Sequence, residues 1–199
     1  MGLAPDEGAT QGKRMRILTD VDGVLADLVG ALALEEGLVT SYHFADCLTE
    51  DKADRAHIAM GTPGFCAGIP WYPGAQAFLN SLKMLGDVIA VTAPYKDGRT
   101  WQYERARWLA PYIKRQIHTA HKELIGGDVL IEDSLEIAER WQKAHPSGIA
   151  ILTDRPWNQG ESGRAIRVTS YVDALEAVRA VSRIPSVPPS HTDFGAVRE

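Results

Sequence analysis

The sequence predicts an α/β fold: a Rossmann-like parallel sheet with helices on both faces and a small helical cap inserted after the first strand-helix unit. Short apolar runs rich in β-branched residues alternate along the chain with longer amphipathic segments, which is typical of βαβ units. Several of these runs end in Asp, Glu or Thr. The carboxyl ends of parallel strands line the ligand crevice of such a sheet, so these polar ends indicate where a site lies.

The elements follow one another in the order that this fold requires. RILTD is a short apolar run, DVIAVT and DVLIED are apolar with polar ends, and GIAILT is a further strand candidate. The last helix begins at a cap formed by Ser170 with Asp173 and has one apolar stripe, so it belongs to the scaffold. Strands are expected near 16–20, 87–92, 128–132, 148–153 and 165–168, and helices near 74–85, 99–110, 134–144 and 171–182.

A long insertion separates the first strand-helix unit from the rest of the sheet. Residues 28–72 lack strand alternation but contain a helical stretch near 50–60, which favours a small helical cap. We therefore expect one core domain at 15–183 with the cap inserted at about 28–72. Residues 1–14 are expected to be a flexible N-terminus, and the Pro- and Ser-rich residues 184–199 a flexible tail.

Composition limits the function classes. The 199 residues are 45% hydrophobic, enough for one compact core, and the net charge of -5 argues against a protein that binds polymeric nucleic acid nonspecifically. The two cysteines, Cys47 and Cys66, form no CxxC motif and are interpreted as free thiols. No membrane-spanning stretch or secretory signal is found, so a cytoplasmic protein is predicted. The sequence leaves open whether the protein forms a homodimer.

The most informative segment is RILTDVDGVLAD, in which a strand ends at two carboxylates one residue apart. In an extended strand Asp20 and Asp22 would point to opposite faces, so a turn that begins at Val21 is needed to bring them together. Gly23 permits that turn and can bring backbone N–H groups near an anion. One carboxylate can then act as a nucleophile while the other transfers protons. The alternative is an Asp-rich loop that only caps the next helix.

This motif resembles the first motif of the haloacid dehalogenase-like phosphohydrolases, an apolar strand that ends in DxDx(T/V). The resemblance implies that Asp20 is the nucleophile that forms an aspartyl-phosphate. It implies that Asp22 protonates the leaving oxygen and then activates water. It also implies a Mg²⁺ ion held by the Asp20 carboxylate and the Asp22 main-chain carbonyl.

Three further groups fit the later motifs of that superfamily in the right order. Thr92 ends the DVIAVT run and would hydrogen-bond a phosphate oxygen. Lys122, in HTAHKEL, would neutralise charge on the nucleophile and the phosphate. DVLIED ends in Glu132 and Asp133, and the resemblance assigns the metal contact to Asp133. Hard oxygen ligands of this kind suit Mg²⁺.

The DVDGVLAD variant most resembles the pyrimidine 5′(3′)-deoxyribonucleotidases of that superfamily. The segment TAPYK places Lys96, and Arg105 follows where the family has a second basic residue, so both would reach the substrate phosphate. Ala93 stands where relatives often have Ser, which removes one phosphate hydrogen bond from that part of the binding site. Leu28 replaces an aromatic residue that contacts the base, which leaves the base preference open.

Aromatic residues of the cap are candidates for base recognition. Phe65 and Trp71 could stack on a nucleobase, since aromatic faces accept any base. Each aromatic residue is, however, more often a packing residue. The DRPWN segment, 154–158, is expected to border the cleft as a Pro-anchored turn in which Trp157 packs.

Together these motifs predict a Mg²⁺-dependent phosphatase of nucleoside monophosphates, most simply a 5′(3′)-deoxyribonucleotidase. Two alternatives stay open. The first is a phosphatase of another small phosphoester such as a sugar phosphate, because the four motifs specify phosphoryl chemistry and not the leaving group. The second is a noncatalytic nucleotide-binding module that keeps the fold.

Overall fold

The protein is described here by a computed structural model over residues 14–41 and 43–183. The predictions of a flexible tail at 184–199 and of a flexible segment before Arg14 lie outside the described residues. None of the helices in the described part of the chain combines the length and apolarity needed to traverse a bilayer.

The core of the structure is a six-stranded sheet in which all paired strands are parallel, with the order β3-β2-β1-β4-β5-β6. The strands are β1 (Arg16–Thr19), β2 (Asp87–Thr92), β3 (Gln116–His118), β4 (Val129–Glu132), β5 (Ile149–Thr153) and β6 (Ile166–Val168). The predicted strands are confirmed to within a residue at each end. The edge strand β3 was not predicted, because three residues with a single apolar member carry no periodic signal.

Helices cover both faces of the sheet, as predicted. The helices are α1 (Leu28–Ala31), α2 (Glu50–Gly61), α3 (Phe65–Gly68), α4 (Ala75–Leu85), α5 (Trp101–Leu109), α6 (Leu135–Ala144) and α7 (Tyr171–Ser182). Helices α4 and α7 pack on each other, and their apolar residues join Ile17 and Ile151 in one buried cluster. Trp141 of α6 joins Leu18 and Leu130 in a second cluster. The successive residues Ile17 and Leu18 of β1 thus face opposite layers, as expected for a strand.

The insertion after β1, the segment expected to form the cap, packs its apolar residues into the main buried cluster, and its two ends lie next to each other. It contains the helices α1, α2 and α3, and two one-turn 3-10 segments, Glu36–Leu38 and Phe44–Asp46, lie between α1 and α2. The Asp27 amide donates to the Pro70 carbonyl at 2.9 Å, and the Tyr72 amide donates to the Leu25 carbonyl at 2.9 Å. These paired hydrogen bonds hold both ends of the insertion beside the loop that follows β1.

Candidate active site

The loop after β1 has the turn that the DxDG motif predicts. The Val21 carbonyl accepts hydrogen bonds from the amides of Leu25 and Ala26 at 2.7 and 2.8 Å. Gly23 has a φ of 76°, a left-handed conformation that favours glycine. Its amide donates to the Ala26 carbonyl at 3.0 Å, so the Gly23 N–H forms part of the turn.

Asp20 lies at the carboxyl end of β1, buried, with its amide bonded to the Ile131 carbonyl of β4 at 2.8 Å. Lys122, on the 3-10 turn Lys122–Leu124, places its Nζ 2.7 Å from Asp20 Oδ1 and 2.8 Å from Glu132 Oε2. Burial alone would lower the pKa of Lys122, but the two carboxylates outweigh it and raise that pKa. The lysine is therefore a fixed positive charge beside the carboxylate at position 20.

Asp133 and Glu132 follow β4 and have different partners. Glu132 Oε1 accepts from the amides of Asp133 and Ser134 at 3.2 Å each, while its other oxygen binds Lys122. Asp133 is 1% exposed and accepts a hydrogen bond from the Trp157 indole. Glu132 is therefore occupied by its neighbours, and it orients the lysine.

The carboxylates at this strand edge fit a divalent cation. One oxygen each from Asp20, Glu132 and Asp133 lies within 4.8 Å of the others. All are hard oxygen donors, the ligand type that Mg²⁺ prefers. Because Lys122 and two amides hold Glu132, Asp20 and Asp133 are the carboxylates best suited to contact such an ion.

Asp22 points to a second part of the site, formed by α5. Its Oδ1 is paired with the guanidinium of Arg105, which is 0% exposed and lies between the rings of Trp101 and Trp108. The Arg105 Cζ is 5.6 Å and 5.1 Å from the two ring centroids, within the range of cation–π contacts. Burial raises the pKa of Asp22, with a contribution from Asp20, although Arg105 opposes this rise.

Two buried side chains in this part of the site, Thr92 and Arg105, have polar atoms without a hydrogen-bond partner among the described residues. Thr92 is the last residue of β2. Because Ala90, two residues earlier, pairs with Thr19 of β1, Thr92 lies beside the loop that carries Asp20. Among the described residues, no hydrogen-bond partner is found for Thr92 Oγ1 or for Nε and Nη1 of Arg105. Buried donors of this kind are normally satisfied, so these positions can receive an acceptor such as a phosphate oxygen.

Two further predicted phosphate-binding residues, Ala93 and Lys96, follow Thr92 along the chain. Ala93 is half-buried directly after Thr92. Lys96 is exposed, and within residues 14–41 and 43–183 it makes no ion pair. The fold therefore buries Arg105 and Lys122 in the site, whereas the Lys96 side chain is exposed at the protein surface.

The cap aromatics form stacks with α5. The Trp71 ring lies 4.0 Å from that of Trp108 with an interplanar angle of 15°, and the Phe65 ring lies 6.2 Å from that of Trp101. Glu104 on the same helix accepts from the amides of Gly64 and Ala67 at 2.7 and 3.2 Å. Helix α5 thus joins the cap to Arg105.

The DRPWN segment contributes more than the packing that its sequence indicated. Trp157 Nε1 donates to Asp133 Oδ2 at 3.0 Å, and Arg155 Nε donates to the Gly23 carbonyl at 2.9 Å. Arg155 also reaches Glu36 in the cap at 3.2 Å. The position of DRPWN after a strand that ends near the site was the available signal, but the partners are distant in sequence.

Comparisons with known proteins agree on one family. The family model described as 5′ nucleotidase, deoxy (pyrimidine), cytosolic type C protein matches residues 14–183. A Bordetella pertussis protein provisionally named 5′(3′)-deoxyribonucleotidase is 29% identical over 170 residues, covering 75% of this chain and 89% of that protein. The human 5′(3′)-deoxyribonucleotidase of cytosolic type is 29% identical over 163 residues, covering 70% of this chain and 80% of its own.

The fold is shared with a solved structure provisionally described as a haloacid dehalogenase-like hydrolase, from Burkholderia xenovorans LB400. The TM-score is 0.57 at 17% identity, and the alignment covers 85% of this chain and 99% of that one. At this identity the likeness concerns the fold alone.

Proposed function

Because the chain belongs to the family of 5′ nucleotidase, deoxy (pyrimidine), cytosolic type C proteins and is a 5′-nucleotidase-type phosphoric monoester hydrolase, we propose that it is a Mg²⁺-dependent 5′(3′)-deoxyribonucleotidase. The observation that carries this proposal is the position of Asp20. Its buried carboxylate lies at the end of β1 with Lys122 at 2.7 Å and Asp133 in the same acidic cluster. A nucleophilic carboxylate and an incoming phosphate dianion require nearby positive charge, and this position provides it.

The proposed reaction has two steps on the same carboxylate. In the first, an oxygen of Asp20 attacks phosphorus, the bond between phosphorus and the nucleoside oxygen breaks, and Asp22 gives its proton to that oxygen. In the second, Asp22 takes a proton from water, the water oxygen attacks the aspartyl-phosphate, and the Asp20 carboxylate is released with inorganic phosphate. Burial raises the pKa of Asp22 although Arg105 opposes the rise, and an upward shift is the direction that a general acid needs.

The phosphate would be held by groups that the described structure leaves ready for it. Thr92 and Arg105 have buried donors without internal partners, and Lys122 supplies a fixed charge. We assign Gly23, Ala93 and Lys96 to the rim of the same phosphate site. For Gly23 the contribution is the turn that shapes the loop, since its amide is already bonded to Ala26.

Magnesium would be held by the carboxylates of Asp20 and Asp133 and by the main-chain carbonyl of Asp22. When bound, the ion neutralises charge on the transferring phosphoryl group. A related fold described as a HAD-hydrolase from Bacillus subtilis was solved bound to magnesium, which supports the choice of ion. Glu132 would act indirectly, by holding Lys122.

Base recognition is assigned to the cap. Phe65 and Trp71 are the aromatic residues that would contact the base or close the wall beside it, since both stack against the tryptophans that flank Arg105. The matched human relative is named a 5′(3′)-deoxyribonucleotidase, which supports a deoxyribonucleotide as the small-molecule substrate. A cytoplasmic location and the absence of polymeric nucleic acid and membrane partners stay predictions, as do the cap boundaries at 28–72.

The test is a kinetic panel of deoxyribonucleoside monophosphates, ribonucleoside monophosphates and sugar phosphates, each measured with Mg²⁺ and with chelator. We expect the highest kcat/KM for a deoxyribonucleotide, loss of activity with chelator and recovery with Mg²⁺. A preference for sugar phosphates would support the phosphatase alternative. Nucleotide binding without turnover on any member would support the noncatalytic module, and equal activity with chelator would contradict the metal site.

A further inference from the structure

A single 3-10 turn, Pro156–Asn158, lies against the acidic end of β4 and is not accounted for by the proposed reaction. The indole of Trp157 donates from Nε1 to Asp133 Oδ2 at 3.0 Å, a normal hydrogen-bond length. Trp157 is half-buried and also packs against the main core cluster. Its ring is thus held by packing while its one polar atom contacts a buried carboxylate.

The turn itself is rigidly anchored, which is a condition for positioning another group. Asn158 is 2% exposed, and its Nδ2 donates at 2.7 Å to the carbonyls of both Asp133 and Thr153. Its Oδ1 accepts from the Arg155 amide at 3.1 Å and from Arg167 Nη1 at 2.8 Å. Trp157 is therefore fixed relative to the Asp133 backbone as well as to its side chain.

We propose that Trp157 is a positioning residue for Asp133, which orients the carboxylate toward the cation shared with Asp20. This rests on the proposed function, because it takes Asp133 as a metal ligand. A carboxylate can rotate about its Cβ–Cγ bond, and a donor held at Oδ2 selects one orientation. Groups that hold a metal ligand in this way typically contribute about 10–100-fold to metal affinity or activity.

The same turn also reaches the other edge of the site. Arg155 donates from Nε to the Gly23 carbonyl at 2.9 Å, and its guanidinium lies 4.1 Å from the centre of the Tyr72 ring. One turn therefore contacts both Asp133 and the loop that carries Asp20. These two contacts explain why Trp157 and Arg155 stand in this turn, since packing alone would accept any apolar residue at position 157.

The test is direct Mn²⁺ binding, by calorimetry, to the full-length protein without substrate, as wild type and as Trp157→Phe. Phe keeps an aromatic ring but has no N–H, so we expect its dissociation constant to rise about 10–100-fold. The control is Trp141→Phe, which removes an indole that donates to the Ile125 carbonyl at 2.9 Å outside the site. This control should bind Mn²⁺ as wild type does even where its thermal stability falls.

Trp157→His separates the hydrogen bond from ring size, because its Nε2 can keep an N–H at the equivalent ring position. The expected order of Mn²⁺ affinity is wild type, then His, then Phe. Wild-type affinity in Trp157→Phe, or equal loss in both variants, would overturn the proposal. Trp157→Met replaces Phe as the variant without an N–H should the Phe protein not fold.

Failure of the proposed function would look different from failure of this inference. If wild type and Asp133→Ala bind Mn²⁺ equally, the metal site itself is wrong. If Asp133→Ala loses binding while Trp157→Phe keeps it, only the positioning role of Trp157 is wrong.

Discussion

The two halves of the candidate site differ in how far the folded protein satisfies them. On the β4 side, Lys122 binds both Asp20 and Glu132, and amides hold the second oxygen of Glu132. On the α5 side, Nε and Nη1 of Arg105 and the Thr92 hydroxyl are left without partners among the described residues. In the first half Lys122 already pairs with both carboxylates before substrate arrives, whereas the second half has donors that require an acceptor from outside.

This difference separates the reacting carboxylate from the donors proposed to bind phosphate. Preorganised charges cost no reorganisation at the moment of reaction. A β4 side in which Lys122 is already paired with Asp20 and Glu132 therefore suits the reacting carboxylate. Buried donors without partners are costly, and a bound phosphate would relieve that cost. Variants on the β4 side should therefore remove turnover or folding stability, and those at the phosphate-binding donors of Thr92 and Arg105 should weaken substrate use by smaller factors.

The largest effect is expected for Asp20→Asn. The substitution keeps the size of the side chain but removes the anionic nucleophile and a proposed metal ligand, so turnover should fall to background. The measurement is single-turnover phosphate release with purified variant. Substantial activity there, with contamination excluded, would rule out the aspartyl-phosphate mechanism.

Asp22→Asn should cost at least about 10²-fold in kcat, the usual lower size of a general acid-base contribution. The loss should be larger for a nucleotide than for an aryl phosphate, because a good leaving group needs little protonation. Comparing kcat for both substrates measures this directly. A change confined to KM would mean that Asp22 only binds or caps.

Glu132 and Asp133 should separate although they are adjacent in the chain. Glu132→Ala removes one of the two carboxylates that hold buried Lys122, so we expect a loss of about 3 kcal/mol in the free energy of unfolding. Asp133→Ala should instead weaken Mg²⁺ binding with a smaller loss of stability. Denaturant unfolding and metal titration of both variants make the comparison. Equal metal affinities would contradict the assignment.

Sequence patterns predicted polar groups at strand ends better than contacts between distant segments, for a physical reason. Asp20, Thr92 and Asp133 lie at the ends of apolar runs, and parallel strand ends meet at one edge of the sheet. The resemblance then supplied Lys122 and the roles of each group. No local pattern shows that Trp157 meets Asp133 or that Arg105 lies between two tryptophans, because those contacts join residues that only the tertiary fold brings together.

Arg105→Met tests the α5 side. It removes the cation paired with Asp22 and the two donors that await an acceptor, while keeping a long side chain between the tryptophans. Hydrogen bonds to charged groups are worth about 1.5–3 kcal/mol, so kcat/KM should fall about 10–100-fold. Arg105→Lys should recover part of this loss. The affinity for inorganic phosphate as product inhibitor gives a second readout, and an unchanged value would show that Arg105 does not bind phosphate.

The smallest effects are expected from the cap aromatics, and they distinguish base recognition from support of Arg105. Phe65 lies 6.2 Å from Trp101, whereas Trp71 is stacked at 4.0 Å on Trp108, which flanks the guanidinium. Stacking of a base on one aromatic ring is worth about 1–3 kcal/mol. Phe65→Ala should lower kcat/KM for nucleotides by the factor that corresponds to this free energy. The kcat/KM for a minimal aryl phosphate should stay nearly unchanged.

Trp71→Ala should lower kcat/KM for both substrates, because loosening Trp108 also loosens Arg105, and the nucleotide should lose more. Side-by-side kinetics on a deoxyribonucleotide and an aryl phosphate give the two ratios. If Phe65→Ala reduces both substrates by one common factor, the ring supports the cap and does not read the base. The nucleotide preference would then have to come from another part of the cap, while the phosphatase chemistry of the β4 side would be unaffected.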